Sequence, residues 1–215
     1  MNIPFKEKPF QAKLLLTIIY CVGVAGMTIR PELFAHLTPF NLLLSAALLF
    51  YFHEQKDAQL FRFCLFVFVA GFAIELMGVN TGKIFGEYHY GEALGFKINA
   101  VPLIIGINWL LLTYCTGIIS NKYSADIFVR SLIGALLMVL LDLLLEPVAM
   151  KHDFWHWQDD IIPIKNYVAW FGFSFFFNLL FQYFSFQKQN PLAEFLFVIQ
   201  LLFFLVLNLL NHFIQ

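Results

Sequence analysis

Seven apolar runs divide this chain and constrain its fold more than any other feature. They fall near 12–29, 38–53, 61–79, 100–119, 127–150, 166–187 and 193–213. A helix needs about 20 apolar residues to cross a bilayer, so seven spans use roughly 140 positions. What remains of the 215 residues serves two tails and six loops, which leaves no room for a soluble domain. The expected fold is all-α, a polytopic membrane bundle of about seven transmembrane helices forming one integral membrane domain over 1–215. The run at 38–53 is the shortest and follows the turn-like Thr38-Pro39. The first run follows Lys6, Lys8 and Lys13, as a signal peptide would. It lacks a small-x-small cleavage site and six more runs follow, so it reads as an uncleaved helix.

Charge is the scarce ingredient. The chain is 60% hydrophobic and 13% charged with a formal net charge of -1, so no basic field suggests a nucleic-acid partner. Cys21, Cys64 and Cys115 all sit inside apolar runs, which argues against a disulfide framework or a thiolate metal site. If all seven runs span, Lys6, Lys8, Lys13, Lys56, Arg62, Lys122, Arg130 and Lys188 share the N-terminal side. Arg30, Lys83, Lys97, Lys151 and Lys165 share the other. Eight of the 13 basic residues against five place the N-terminus in the cytoplasm and the chain, multi-pass, in the cell membrane. The two long loops, 80–99 and 151–165, then share the side opposite the N-terminus and hold most of the extramembrane Gly, Trp, Tyr and His. No internal repeat or linker is present.

Three carboxylates lie within the apolar runs or at their long-loop ends: Glu75, Asp142 and Glu146. An acid at mid-bilayer costs roughly 2.5–3.5 kcal/mol on insertion scales. At about 1.5 Å per residue, Glu75 and Glu146 lie about 6 Å below the long-loop surface, and Asp142 and Asn108 about 12 Å. Asp142 and Glu146 are four apart and share a helix face. Glu75 and Glu146 are shallow enough to serve as interfacial residues. Asp142 is short and surrounded by Leu140, Leu141, Leu143, Leu144 and Leu145. A carboxyl beside another and away from bulk water holds its proton, so the pair reads as a proton donor and not as a cation site. Around the same membrane face lie Tyr88, His89 and Tyr90, then Trp155, His156 and Trp157, then Asn166, Tyr167 and Trp170. An aromatic belt should appear at both interfaces, yet Trp109, Trp155, Trp157 and Trp170 all belong to one side. A substrate cavity with stacking walls explains that asymmetry better than anchoring does.

Several membrane enzyme classes are excluded by missing residues. Of six His, only His152 and His156 are spaced i, i+4, too few for a di-iron oxygenase, so no metal site is expected. The last run, from Pro191 to Gln215, has no Lys for a retinal Schiff base, and no paired Asp-rich motif would hold a magnesium diphosphate. Between Phe63 and Phe72 the only glycine is Gly71, so no small-xxx-small helix-dimer seam appears there.

The string Glu75-Leu76-Met77-Gly78-Val79-Asn80-Thr81-Gly82, followed by Gly86-Glu87-Tyr88-His89-Tyr90 and Leu94-Gly95, is one half of an ordered motif set. Val101-Pro102-Leu103, Asn108-Trp109, Asp142-Leu143-Leu144-Leu145-Glu146-Pro147, Trp155-His156-Trp157, Pro163, Asn166 and Trp170 complete it. Over roughly 70–175 the set resembles the CruF-type carotenoid biosynthesis family, membrane carotenoid 1',2'-hydratases that include bisanhydrobacterioruberin hydratases. The flanking helices match only in hydropathy. The family usually has Asp-Pro where this chain has Glu146-Pro147, and Gly where it has Asp159-Asp160. Glu for Asp keeps the acid and moves it by one methylene.

The resemblance implies addition of water across the terminal C1'=C2' double bond of an acyclic carotenoid end, giving a tertiary alcohol without a cofactor. Lycopene or γ-carotene is the type of substrate implied, with membrane lipid and other carotenoid enzymes as further partners. That chemistry needs a proton donor, a shielded tertiary cation and one positioned water. Asp142 is expected to donate the proton, with Glu146 or Glu75 orienting the water or tuning Asp142. Tyr88, Tyr90, Trp109, Trp155, Trp157 and Trp170 offer aromatic faces, each worth about 0.5–2 kcal/mol to a cation, and Asn108 or Asn166 can hold the water. Two other readings start from the same residues: an end-group cyclase, which quenches the cation internally, and a non-catalytic carotenoid-binding subunit. Burying acids gains nothing for binding a hydrocarbon, which weighs against the latter.

Overall fold

The computed structural model describes the backbone of residues 8–213 and the side chains of 8–212. Lys6, counted above with the N-terminal side, lies outside the described residues. Helices occupy all seven apolar runs: α1 (Lys8–Ile29), the short α2 (Pro31–Ala35), α3 (Thr38–Tyr51), α4 (Ala58–Thr81), α5 (Ile104–Ser120), α6 (Ile127–Lys151), α7 (Ile164–Tyr183) and α8 (Ala193–Phe213). Five segments are long and apolar enough to cross a membrane: α1, α2 with α3, α4, α6 and α8. The chain is an all-α bundle, with two small two-stranded sheets added on its loops.

The helix boundaries have local causes. Asp57 caps α4, its Oδ1 accepting from the Leu60 amide at 2.8 Å, and Gly82 ends that helix in the left-handed region at φ 63°. Asp126 caps α6 by accepting from the amides of Phe128 and Val129. The apolar run expected to begin a helix at residue 100 does not. Asn99 and Ala100 take positive φ, Val101–Pro102 form a strand, and α5 starts at Ile104. A residue before proline is pushed out of the helical region, so the helix cannot begin earlier. The sixth run likewise stops at Tyr183, because Phe184 is extended at ψ 133°.

α5 is the axis of the bundle. It packs against α3, α4, α6, α7 and α8, and nearly its whole surface is buried. The outer helices reverse the soluble pattern and carry large apolar side chains outward. Phe10, Leu14, Ile18 and Val22 form an exposed i, i+4 stripe on α1, and Phe61, Leu65 and Val69 form another on α4. Such stripes suit a hydrocarbon solvent and would be an aggregation hazard in water.

The two long loops meet. β1 (Tyr88–Tyr90) pairs antiparallel with β4 (Trp155–Trp157), with Tyr88 opposite Trp157, His89 opposite His156 and Tyr90 opposite Trp155. A second ribbon joins β2 (Lys97–Ile98) to β3 (Val101–Pro102). The β1–β4 ribbon lies across the mouth of the α4–α7 bundle and positions the site below it.

Candidate functional site

Side chains alternate faces along a strand, and the β1–β4 ribbon uses that alternation to sort its residues. Tyr88, Tyr90, Trp155 and Trp157 face the bundle. His89 and His156 face away, their rings stacked with centroids 5.4 Å apart. His156 Nε2 pairs with Asp153 Oδ1 at 2.9 Å, while His152 closes α6 and is buried. The i, i+4 spacing of these two His therefore does not bring them to one face.

Each inward aromatic donates to a carboxylate. Glu75 on α4 accepts from Tyr88 Oη (2.6 Å) and Tyr90 Oη (2.8 Å) at Oε2, and from Trp109 Nε1 (3.0 Å) at Oε1. Glu146 on α6 accepts from Trp155 Nε1 (2.9 Å) and Trp157 Nε1 (2.7 Å) at Oε2, and from Asn166 Nδ2 (2.8 Å) at Oε1. Asn166 Nδ2 also donates to Asp142 Oδ2 at 3.0 Å, so one amide bridges the two acids of α6. Asp142 is fully buried, and its Oδ1 has no partner among the described residues. Burial, followed by the neighbouring Glu75, pushes the Tyr88 and Tyr90 phenols well above the ordinary range, which keeps both as donors.

Packing makes these contacts rigid. Trp109 stacks on Trp170 with ring centroids 4.3 Å apart and planes at 17°, and Tyr88 lies 4.9 Å from the Trp157 ring. Gly71 allows Trp109 to approach α4, because a Cβ there would lie 2.7 Å from the Trp109 Cβ. Pro147 follows Glu146 and removes a backbone donor from α6. In the adjoining turn Asn208 Nδ2 on α8 donates to the Leu144 carbonyl at 2.7 Å. Asp159 and Asp160, at φ 57° and 56°, stand in the left-handed region. Glycine takes this conformation without strain, and Asp is among the few other residues that tolerate it.

Two cavities meet at this site. A polar one of about 20 Å³, room for one water, is bounded by Glu75, Glu146, Tyr88, Tyr90, Trp157 and Asn166, among others. An apolar one of about 380 Å³ runs between α1, α3, α5, α6 and α8. Ile105, Asn108 and Trp155 belong to the walls of both. Asn108 is half-buried, and its amide has no hydrogen-bond partner among the described residues. Of the residues singled out from sequence, Glu75, Glu146, Tyr88, Tyr90, Asn108, Trp155, Trp157, Asn166 and Trp170 line the small cavity. Trp109 and Asp142 stand behind that wall and reach it through Glu75 and Asn166. Sequence reasoning missed Ile105, an ordinary apolar residue with no distinguishing signal, and gave Phe85 no role. Phe85 is buried beside Tyr88 and lines the polar cavity. Among the described residues no group of three or more His, Cys, Asp and Glu is placed to hold a metal ion.

Comparison with known proteins places the chain in a family. The carotenoid biosynthesis protein family model matches residues 37–215. Bisanhydrobacterioruberin hydratase of Haloarcula japonica is 30% identical over 112 residues, covering 46% of this chain and 36% of that protein. The match thus spans about a third of that relative's length. No solved structure matches. With its motif set, its paired acids and a family match reaching from α3 to the C-terminal residue, this chain belongs to the carotenoid biosynthesis protein family.

Proposed function

We propose that this protein is a cofactor-independent carotenoid 1',2'-hydratase that spans the cell membrane with seven helices, its N-terminus cytoplasmic and its site at the opposite face. The observation that carries the reading is the shared wall of the two cavities. An apolar sleeve suited to a polyene end adjoins, across Ile105, Asn108 and Trp155, a water-sized pocket bounded by Glu75 and Glu146.

In this mechanism the Asp142–Glu146 pair holds the proton. Two acids bridged by one amide disfavour double ionisation, and a charged Asp142 would leave Oδ1 buried and unsatisfied. Glu146 is the member at the cavity wall, so it delivers the proton to C2' of the alkene. The π electrons form the new C2'–H bond and leave a tertiary cation at C1', flanked by the Trp155 and Tyr90 rings. Asn108 and Glu75 hold the water. Its oxygen attacks C1' while Glu75 takes the released proton, giving the tertiary alcohol. A second water entering between Glu75 and Glu146 returns the proton to Glu146 and restores the site. Asp142 acts as a positioning residue through Asn166. The net change is addition of one water.

Expression in a host that makes lycopene or γ-carotene tests this directly. Hydration adds about 18 Da to the substrate. A product of unchanged mass would mean cyclisation, and unaltered pigment retained on the purified protein would mean a carrier. Asp142→Asn should abolish the product while the protein still accumulates in membranes. Near-normal conversion by that variant would remove Asp142 from the mechanism.

A further inference from the structure

The apolar cavity is closed on most sides and open on one. Its walls on α5, α6 and the two long loops are tight: Leu94, Ile105, Leu112, Leu141, Leu145 and Phe154 are all buried. Every exposed residue lining it lies on α1 or within 37–44. Ile18 and Val22 on α1 are 53% and 51% accessible, Phe40 and Leu44 on α3 68% and 36%. These side chains belong to the cavity wall and to the outer surface together, so a slot between α1 and α3 joins the two. α1 packs mainly on α8 and α2 and meets α3 less closely. Gly23 lets it approach α8, where a Cβ would lie 3.1 Å from the Phe203 ring. On the inner side Tyr20 ties α1 to α3 and α8 through Ser45, Asn41 and Gln200. The slot is therefore a fixed feature of the fold and not a gap between loose helices.

Its position decides what can pass. α1 and α3 are joined through 30–37, so the Ile29 end of α1 and the Thr38 end of α3 lie on one side of the bundle. At about 1.5 Å per residue, Val22 and Ile18 lie about 10 and 16 Å along α1 from the first end, and Leu44 about 9 Å along α3 from the second. A hydrocarbon core is about 30 Å thick, so the rim faces acyl chains and not water. The size of the cavity adds an independent constraint. Its 380 Å³ is near the low end of the roughly 300–1,000 Å³ that hold a drug-sized molecule. It can take the end of a carotenoid but not the whole chain, and the rest has to lie outside the wall. Through the slot that remainder stays in hydrocarbon. Any other wall would send it through packed helices or into water, which apolar surface avoids.

The structure assigns to the slot between α1 and α3 the passage by which a carotenoid end enters the cavity sideways from the bilayer, with Ile18, Val22, Phe40 and Leu44 as the rim that sets its width. This rests on the reading of the cavity as a carotenoid sleeve and adds the route by which it fills. Family membership does not imply it, because α1 lies outside the matched residues 37–215.

The test mixes the full-length protein in phosphatidylcholine–detergent micelles with the same micelles carrying lycopene. It follows quenching of tryptophan fluorescence by the polyene, since Trp155 lines the cavity. The rate, read where it still rises with lycopene concentration, reports passage, and the final extent reports occupancy. Val22→Phe and Leu44→Phe narrow the rim and should slow quenching at least fivefold while leaving its extent within twofold. Phe40→Ala widens the rim and should speed it; this exposed position keeps the test decisive where a narrowed variant fails to fold. Leu14→Phe, one turn from Ile18 on the same outward stripe but outside the cavity wall, should change neither. Equal rates in all four variants would overturn the slot. So would narrowed variants that lose extent as much as rate, since their residues would then be ordinary wall. Product mass is read separately. Rim-dependent quenching without any 18 Da gain would leave the slot standing and remove the hydratase reading, and no quenching by the unaltered protein would remove the sleeve and the slot with it.

Discussion

The two ends of the bundle bury polar side chains for opposite purposes. At the end carrying β1 and β4, donors from Tyr88, Tyr90, Trp109, Trp155, Trp157 and Asn166 all terminate on carboxyl oxygens. At the other end the buried polar groups tie loops to helices. His53 Nδ1 lies 2.5 Å from Tyr114 Oη, and Asn190 Nδ2 donates to the Leu49 carbonyl at 2.7 Å and to Tyr114 Oη at 3.3 Å. Phe63, Phe181 and Phe186 close around that cluster edge to face. One end spends its hydrogen bonds on chain geometry. The other holds acids beside a water-sized space, an arrangement that adds little stability and suits proton transfer. Activity and stability should therefore respond separately to substitution at the two ends.

The sharpest separation comes from the acids. Glu146→Gln and Glu75→Gln should each lower product formation by 10²-fold or more, the ordinary worth of a placed acid or base, while the protein still accumulates. Product mass against protein level in membranes reads both quantities. Gly71→Ala comes next and crosses the division. Its Cβ would meet Trp109, which donates to Glu75. Overpacking of about 1–3 kcal/mol is expected, and thermal unfolding in detergent should show it together with lost activity. Tyr114→Phe at the far end should cost about 1–3 kcal/mol by stranding His53, with product per folded molecule unchanged. If activity falls more than the folded fraction does, the two ends are coupled. The smallest effect belongs to Lys122→Ala. It breaks an exposed pair with Glu194, both side chains about half accessible, and such pairs contribute about 0–1 kcal/mol.

How much of this was legible in the sequence depends on range. The runs at 127–150 and 193–213 agree with α6 and α8 almost to the residue, because apolar length and an Asp126 cap are local signals. The start of α5 was missed by four residues, since an apolar composition reads alike in a strand and in a helix. Only the Pro102 backbone restriction separates them. Among site residues, Asp142 and Glu146 could be placed together from their spacing, and Glu75 could be put at a similar depth. Nothing in the sequence pairs Glu75 with Tyr88, Tyr90 and Trp109, or Glu146 with Trp155 and Trp157. Those partners come from different segments, and their assignment depends on the antiparallel register of β1 and β4.

What the amino-acid sequence determined by itself is therefore the solvent and the inventory. Apolar length sets the helices, and isolated acids inside apolar runs single out the candidate site, since a carboxyl is costly there. Tertiary structure alone decided who bonds to whom. It sorted the aromatics into donors to two separate carboxylates and turned His89 and His156 outward. It also set an apolar cavity against a polar one at Ile105, Asn108 and Trp155. Strand register and helix packing are agreements between distant segments, and a one-residue slip in the β1–β4 register would face every side chain of that ribbon the other way.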